Sequence, residues 1–469
     1  MSPLLRFERF PRALVALVAL VALASPAIAF AQSPAQAIAI THVSVVDGRA
    51  PRPRADQTVV VRGDRIIWVG PAASARIPPG ATLIDGRGRF LIPGLWDMHV
   101  HTVMPGGRKV LPLYIANGVT GVRDMAGDLD TLRAWRSQIT AGTLVGPRLV
   151  VSGPYLEGGD QPIPHVLART PDEGRTGVDS LVTLGVDFIK VHTQLRPETF
   201  YAIARRARER GIWFSGHVAR VVGAGNASDS GQRSIEHLLA VPLPCTPAES
   251  IALVPRHPVQ SAIGRCSSED QAPLYAKLVR NHTWVTPTFV AAVEVASWPG
   301  RVVPGDSLAP YLPAELKAYV AGIFPIPDSF PSGADSVGRA MLALRLAQAT
   351  AMRRAGVGVL AGTDAPLRNS PPGFGLHEEL TLFVRGGMTP LEALVAATLE
   401  PARYFERDST MGTVETGKVA DLVLLAGDPL EDIANVRRIV AVIAAGRLYD
   451  EAARRALLTA GTPRAGSRP

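Results

Sequence analysis

The stretch GLWDMHVHT, residues 94–102, places two of the chain's ten histidines, His99 and His101, one residue apart at the end of an apolar run. In a strand, side chains i and i+2 share a face, so the two imidazoles project side by side. Adjacent imidazoles repel when charged and satisfy each other poorly when neutral. A shared metal ion resolves both problems, because neutral imidazole is its commonest ligand. Groups of similar chemistry recur at the ends of other apolar segments: Lys190 and His192 in IKVH, His217 in FSGH, His237 in SIEH and Asp364 in LAGTD. Singly, each reads as a buried, hydrogen-bonded side chain. Converging on one rim, they form a ligand set whose burial without a cation is costly.

The elements that must bring them together follow from the pattern between residues 93 and 409. Candidate strands at 94–101, 119–126, 147–156, 186–193, 212–219, 233–240, 283–290 and 357–365 alternate with helical patterns such as 196–211 and 334–356. Eight strands with intervening helices suggest a (β/α)8 TIM barrel, in which active groups sit at the C-terminal ends of several strands. A doubly wound open sheet is the competing architecture, but no glycine-rich phosphate turn follows the first strand. Residues 32–92 and 410–452 carry short alternating strands with Asp-Gly and Gly-Asp turns. Neither segment makes a robust sheet alone, so they are expected to combine into one small β-sandwich domain. Residues 453–469 read as a flexible tail. The segments 241–282 and 291–333 are long insertions near the seventh strand, placed to shape substrate access.

Composition narrows the function classes. The chain has 469 residues, 47% of them hydrophobic, enough for a large core. Arg6, Arg9 and Arg12, the apolar run 13–24 and the AIAFA pattern at 27–31 read as a signal peptide over residues 1–31. The mature protein is then exported, most simply to a periplasm, with no stable membrane anchor once the signal is cleaved. Of the formal charge of +8, residues 1–31 carry +2 and residues 451–469 carry +3, leaving +3 for the rest. No basic cluster interleaved with aromatics is present there, so nucleic-acid binding has no support. Cys245 and Cys266 suit a single disulfide, of about 3 kcal/mol by chain entropy.

The sequence resembles the metal-dependent amidohydrolase superfamily, near its imidazolonepropionase-like and Xaa-Pro-dipeptidase-like branches. The family's H-x-H is HVH here, its fourth-strand lysine matches Lys190, its next two histidines match His217 and His237, and its aspartate matches Asp364. LHEEL, GMTPLEALVAATLEPAR and GTVETGKVADLVLLAGDPLEDI resemble its C-terminal part. The resemblance implies two divalent ions, zinc by preference. One is held by His99, His101 and Asp364, the other by His217 and His237. Lys190 lies between them as a carbamate formed with carbon dioxide. Burial lowers a lysine's pKa, and the neutral amine is what captures carbon dioxide. A water between the ions then becomes the nucleophile, and Asp364 is the catalytic proton carrier.

His192, His377, Arg123 and Tyr155 are candidates for supporting or substrate contacts. Arg123 and Asp124 suggest a buried ion pair, and Glu236 should point away from His237. His42, His165, His257 and His282 lack ligand-like spacing. The implied activity is hydrolysis of an amide or peptide C–N bond, in a dipeptide or N-acyl amino acid first. A cyclic amidase, a lactone or phosphotriester hydrolase, and a non-catalytic metal-stabilised binding protein are the alternatives.

Overall fold

A computed structural model describes residues 36–161, 163–219, 221–238, 240–252, 266–267, 269–297, 309–323, 334–367 and 370–459. The expected signal segment, His257 and the end of the C-terminal tail lie outside these residues. Thr58 to Val61 are all buried in the strand Arg54–Arg62, which turns back as Arg65–Pro71 with Val59 opposite Val69. Ile38–Val45 pairs with the first of these, and Phe90–Pro93 lies parallel to Ile38–Val45. Phe90–Pro93 also pairs with Leu422–Leu425 from the far end of the chain, antiparallel, with Leu91 opposite Leu424. Ile439–Ala444 and Arg447–Tyr449 extend that edge, and Thr82–Asp85 joins Ile38–Val45. The N- and C-terminal segments therefore share one mixed sheet, traced as a single eight-stranded sheet rather than as two stacked ones. Ile40, Val61, Leu91, Leu422 and Ile443 fill one of its faces.

Between these segments the strands are parallel, and helices separate most of them. Leu95–Val100, Val119–Asp124 and Arg148–Val151 form one sheet. His165–Leu167, Tyr155–Glu157, Ile189–Val191, Phe214–Gly216, Gln232–Glu236 and Trp284–Thr286 form another. All six residues of Leu95–Val100 are buried, as in a strand covered on both faces. The helices carry clear boundary chemistry. Pro171–Leu184 opens with a capping box between Thr170 and Glu173. Leu129–Ala141 opens on Asp128, whose carboxylate accepts from Thr131 N.

The structure differs from expectation in three places. The strand expected over 147–156 is two strands in different sheets, broken at Gly153, whose φ of +62° suits glycine, and Pro154. The segment 357–365 is not an assigned strand. It is held by isolated parallel bridges, Val285 to Val359 and Val100 to Ala365, so the pairing traces an α/β fold without a resolved closed barrel. The tail is ordered over its first residues, as the helix Glu451–Thr459, with Leu457 and Leu458 packed on core residues. Cys245 is disulfide-bonded beside the short pair Leu243–Pro244 and Cys266–Ser267. Among the described residues no helix is long and apolar enough to cross a membrane.

Candidate metal centre

His99 is the penultimate residue of the strand Leu95–Val100, and His101 follows immediately after it. A register shift between Asp97 and Val100 turns the strand end. Asp364 arrives from the 357–365 segment with φ +60°, its amide donating to the His99 carbonyl at 2.8 Å. Its Oδ1 lies 3.3 Å from Nε2 of His99 and 3.3 Å from Nε2 of His101. The ligand atoms of these three residues all fall within 4.8 Å of one another. Gly362 permits this approach: a Cβ there would lie 2.6 Å from Thr286 Cγ2 and 3.0 Å from His99 Cβ.

His217 and His237 follow the strands Phe214–Gly216 and Gln232–Glu236. The His237 ring lies 4.6 Å from that of His99 and 4.7 Å from that of His217. Lys190, in Ile189–Val191, is buried, with its Nζ 5.7 Å from the Tyr155 ring centroid. Burial lowers its pKa to about 8, against the pull of Asp364, Glu236 and Asp124. The six residues singled out as ligands thus lie in one group, with His99 and Lys190 buried and the other four partly exposed.

The hydrogen bonds indicate which ring nitrogens are free. Glu236, fully buried, accepts from His99 Nδ1 at 2.8 Å, which leaves Nε2 of His99 with its lone pair and no hydrogen bond. Nδ1 of His101 and Nδ1 of His217 are likewise buried without a hydrogen bond. Buried nitrogens without partners and a carboxylate within reach are the donor set of a divalent transition-metal site, so these residues fit such an ion.

Burial first, and then neighbouring cations, hold the pKa of His99 and His217 well below the ordinary histidine value. Their neutral, ligating forms therefore persist to lower pH than those of exposed histidines. On titrating metal-loaded protein with acid, the midpoint of metal release is expected below pH 6.5. Release already half complete at pH 7 would contradict this.

An amidohydrolase-family model matches residues 90–449, most of the chain. The chain belongs to the amidohydrolase family. An imidazolonepropionase from Ralstonia nicotianae is 29% identical over 399 residues, covering 81% of this chain and 88% of the relative. Among solved structures, a Xaa-Pro dipeptidase with bound methionine in its active site superposes with a TM-score of 0.64 at 21% identity, covering 88% of this chain and 100% of that one. Bottromycin amidohydrolase gives a TM-score of 0.69 at 20% identity, covering 91% and 90%. At these identities the structural matches speak for the fold.

The family's general H-x-H signature does not reveal the groups that support this amidohydrolase's histidines. Asp97 accepts from Thr363 N at 3.0 Å, Thr363 Oγ1 at 2.6 Å and His99 N at 3.3 Å, so it ties the two ligand-bearing segments together. Burial pushes its carboxyl up to about 7. Arg123 is a structural partner. Its guanidinium meets both Glu236 oxygens at 2.9 Å, and also Ser234, Tyr404, Thr286 and the Met98 carbonyl. The expected pair of Arg123 with Asp124 does not form, because neighbours in a strand face opposite ways. Asp124 instead accepts from Thr102 N at 2.7 Å.

Replacing Arg123 with Met leaves the Glu236 charge buried and unpaired, so a loss of about 3–5 kcal/mol is expected in chemical denaturation. Adding Glu236→Gln should recover part of it. An unchanged midpoint in Arg123→Met would contradict this assignment.

His192 hydrogen-bonds Glu157 and stacks on His217 at 4.1 Å, with Tyr155 4.9 Å away, so both lie beside the group. His377 does not. Its Nε2 donates to the Asn117 carbonyl at 2.9 Å, and burial lowers its pKa to about 4. The helix Phe374–Arg385 turns it toward the end of Gly107–Ala116, where it serves packing. His42 pairs with Asp56, and His165 with the Ile163 carbonyl.

Proposed function

We propose that this chain is an exported metal-dependent hydrolase of an amide or peptide-type C–N bond, acting first on a dipeptide or N-acyl amino acid. The observation that carries it is the close group of His99, His101 and Asp364, with buried ring nitrogens left without partners. In this reading residues 93–409 are a (β/α)8 barrel, supported by the bridges Val285 to Val359 and Val100 to Ala365. Residues 32–92 and 410–452 form the small β-domain, and residues 1–31 are the export signal.

His99, His101 and Asp364 would hold one divalent ion, by preference zinc, and His217 and His237 a second. Such ions polarise a carbonyl and lower the pKa of coordinated water. Lys190 would supply the anion between them as a carbamate. Its neutral amine adds to carbon dioxide and releases one proton, and the amine is available because burial lowers its pKa to about 8.

Asp364 carries the proton. Burial raises its pKa, but in the metal-free protein His237, His101 and Lys190 outweigh this and keep it below the usual carboxylate range, and bound divalent ions would do the same. The ionised carboxylate takes a proton from the attacking water and delivers it to the departing amine nitrogen as the C–N bond breaks. His192 and Tyr155, which lie beside the ligand group, would contact the substrate.

A cyclic amide is the second reading, favoured by the imidazolonepropionase similarity. The test is a panel of dipeptides, N-acyl amino acids, cyclic amides, lactones and phosphotriesters given to metal-loaded protein. Amine release from a dipeptide or N-acyl amino acid, stopped by a chelator, is the expected result. Turnover of lactones or phosphotriesters alone would overturn the proposal, as would no turnover.

A further inference from the structure

Thr288 stands just before the helix Phe289–Ser297 with φ +52°, a conformation that a β-branched residue adopts only under strain. Its carbonyl already accepts from Ala291 N at 3.1 Å, so it occupies the position where a threonine hydroxyl ordinarily caps the first free amides of a helix. Here the hydroxyl does not cap. It donates to the Pro287 carbonyl at 2.8 Å and lies 2.6 Å from His237 Nδ1.

The capping is done from another helix. Glu379, fully buried on Phe374–Arg385, accepts from Phe289 N and Val290 N, both at 2.9 Å. With its only proton given to Pro287, the Thr288 oxygen can meet His237 only as an acceptor. That requires the proton on Nδ1 and leaves the lone pair on Nε2.

We propose that Thr288 is a positioning residue that fixes His237 as an Nε2 donor, and that Glu379 makes this possible by taking over the helix cap. Glycine would relieve the strained φ at this position, so the threonine carries a conformational cost that the contacts of its hydroxyl offset. The inference rests on His237 holding a metal, as in the proposed function.

The test compares Thr288→Gly, which relieves the strain and removes the hydroxyl, with Thr288→Ser, which keeps the hydroxyl. Zinc affinity is measured by chelator competition. Thr288→Ser should stay within about 2-fold of wild type, and Thr288→Gly should bind about 10–100-fold more weakly, the usual scale for a lost partner of a metal-bound histidine. Ring-nitrogen NMR shifts of metal-free protein read the tautomer directly. Nδ1 should be protonated in wild type and Thr288→Ser, and the tautomers mixed in Thr288→Gly. Equal zinc affinity in wild type and Thr288→Gly would overturn the proposal, as would His237 protonated on Nε2 in wild type. Wild-type protein that binds no zinc, with His237 still protonated on Nδ1, would instead refute the metal reading of the site.

Discussion

Asp364→Asn is expected to lower turnover by about 10²-fold or more while the protein folds and keeps much of its metal. Asn matches Asp in shape and can still offer one oxygen toward His99 and His101, whose Nε2 atoms lie 3.3 Å from Asp364 Oδ1. It cannot accept and return a proton. In the metal-free protein His237, His101 and Lys190 together outweigh the effect of burial on the carboxylate, and bound divalent ions would keep it ionised in their place. Activity should therefore survive to pH values below the ordinary aspartate range as far as this group is concerned, and fall only when Asp364 itself takes a proton. The check is metal content and turnover on the same preparation. Wild-type turnover in Asp364→Asn with metal bound would show that the proton travels through another group, and His192, stacked on His217, is the first to examine.

Lys190→Ala should remove detectable activity and much of the bound metal, with partial rescue by a short carboxylic acid able to enter the space left. Lys190 is 2% exposed and has no hydrogen-bond or ion-pair partner among the described residues. A buried ammonium without a counter-ion at hydrogen-bonding distance is an expensive arrangement. Conversion to a carbamate removes that cation and supplies an anion among His99, His217 and His237, whose titration its charge already perturbs. Unchanged activity and metal content in Lys190→Ala would make Lys190 a bystander.

The strand–helix alternation and the ends of the strands were legible because they depend on local period and on turn residues. Each proposed ligand sits at or just past the end of an apolar segment, and that placement survives small errors in strand boundaries. The break at Gly153 and Pro154 was less visible, since LVVSGPYL keeps its apolar character through the change of sheet. The 357–365 segment is too rich in small residues and too irregular at Asp364 to form a continuous ladder. The supporting shell was not legible at all. Glu236 meets His99 across 137 residues, Asp97 meets Thr363 across 266, and Thr288 meets His237 across 51. Nothing in a single sequence marks which carboxylate or hydroxyl will close such distances. His377 shows the reverse error. A histidine in a family-like LHEEL stretch reads as a site residue, yet its helix faces it to the Asn117 carbonyl.

The proposed chemistry depends above all on divalent ions bound at this site. Elemental analysis of protein purified without chelators, with turnover assayed before and after chelation and after metal is restored, tests it directly. About two transition-metal ions per chain are predicted, with activity lost on their removal and regained on their return. Full activity in protein that contains no metal would contradict the account.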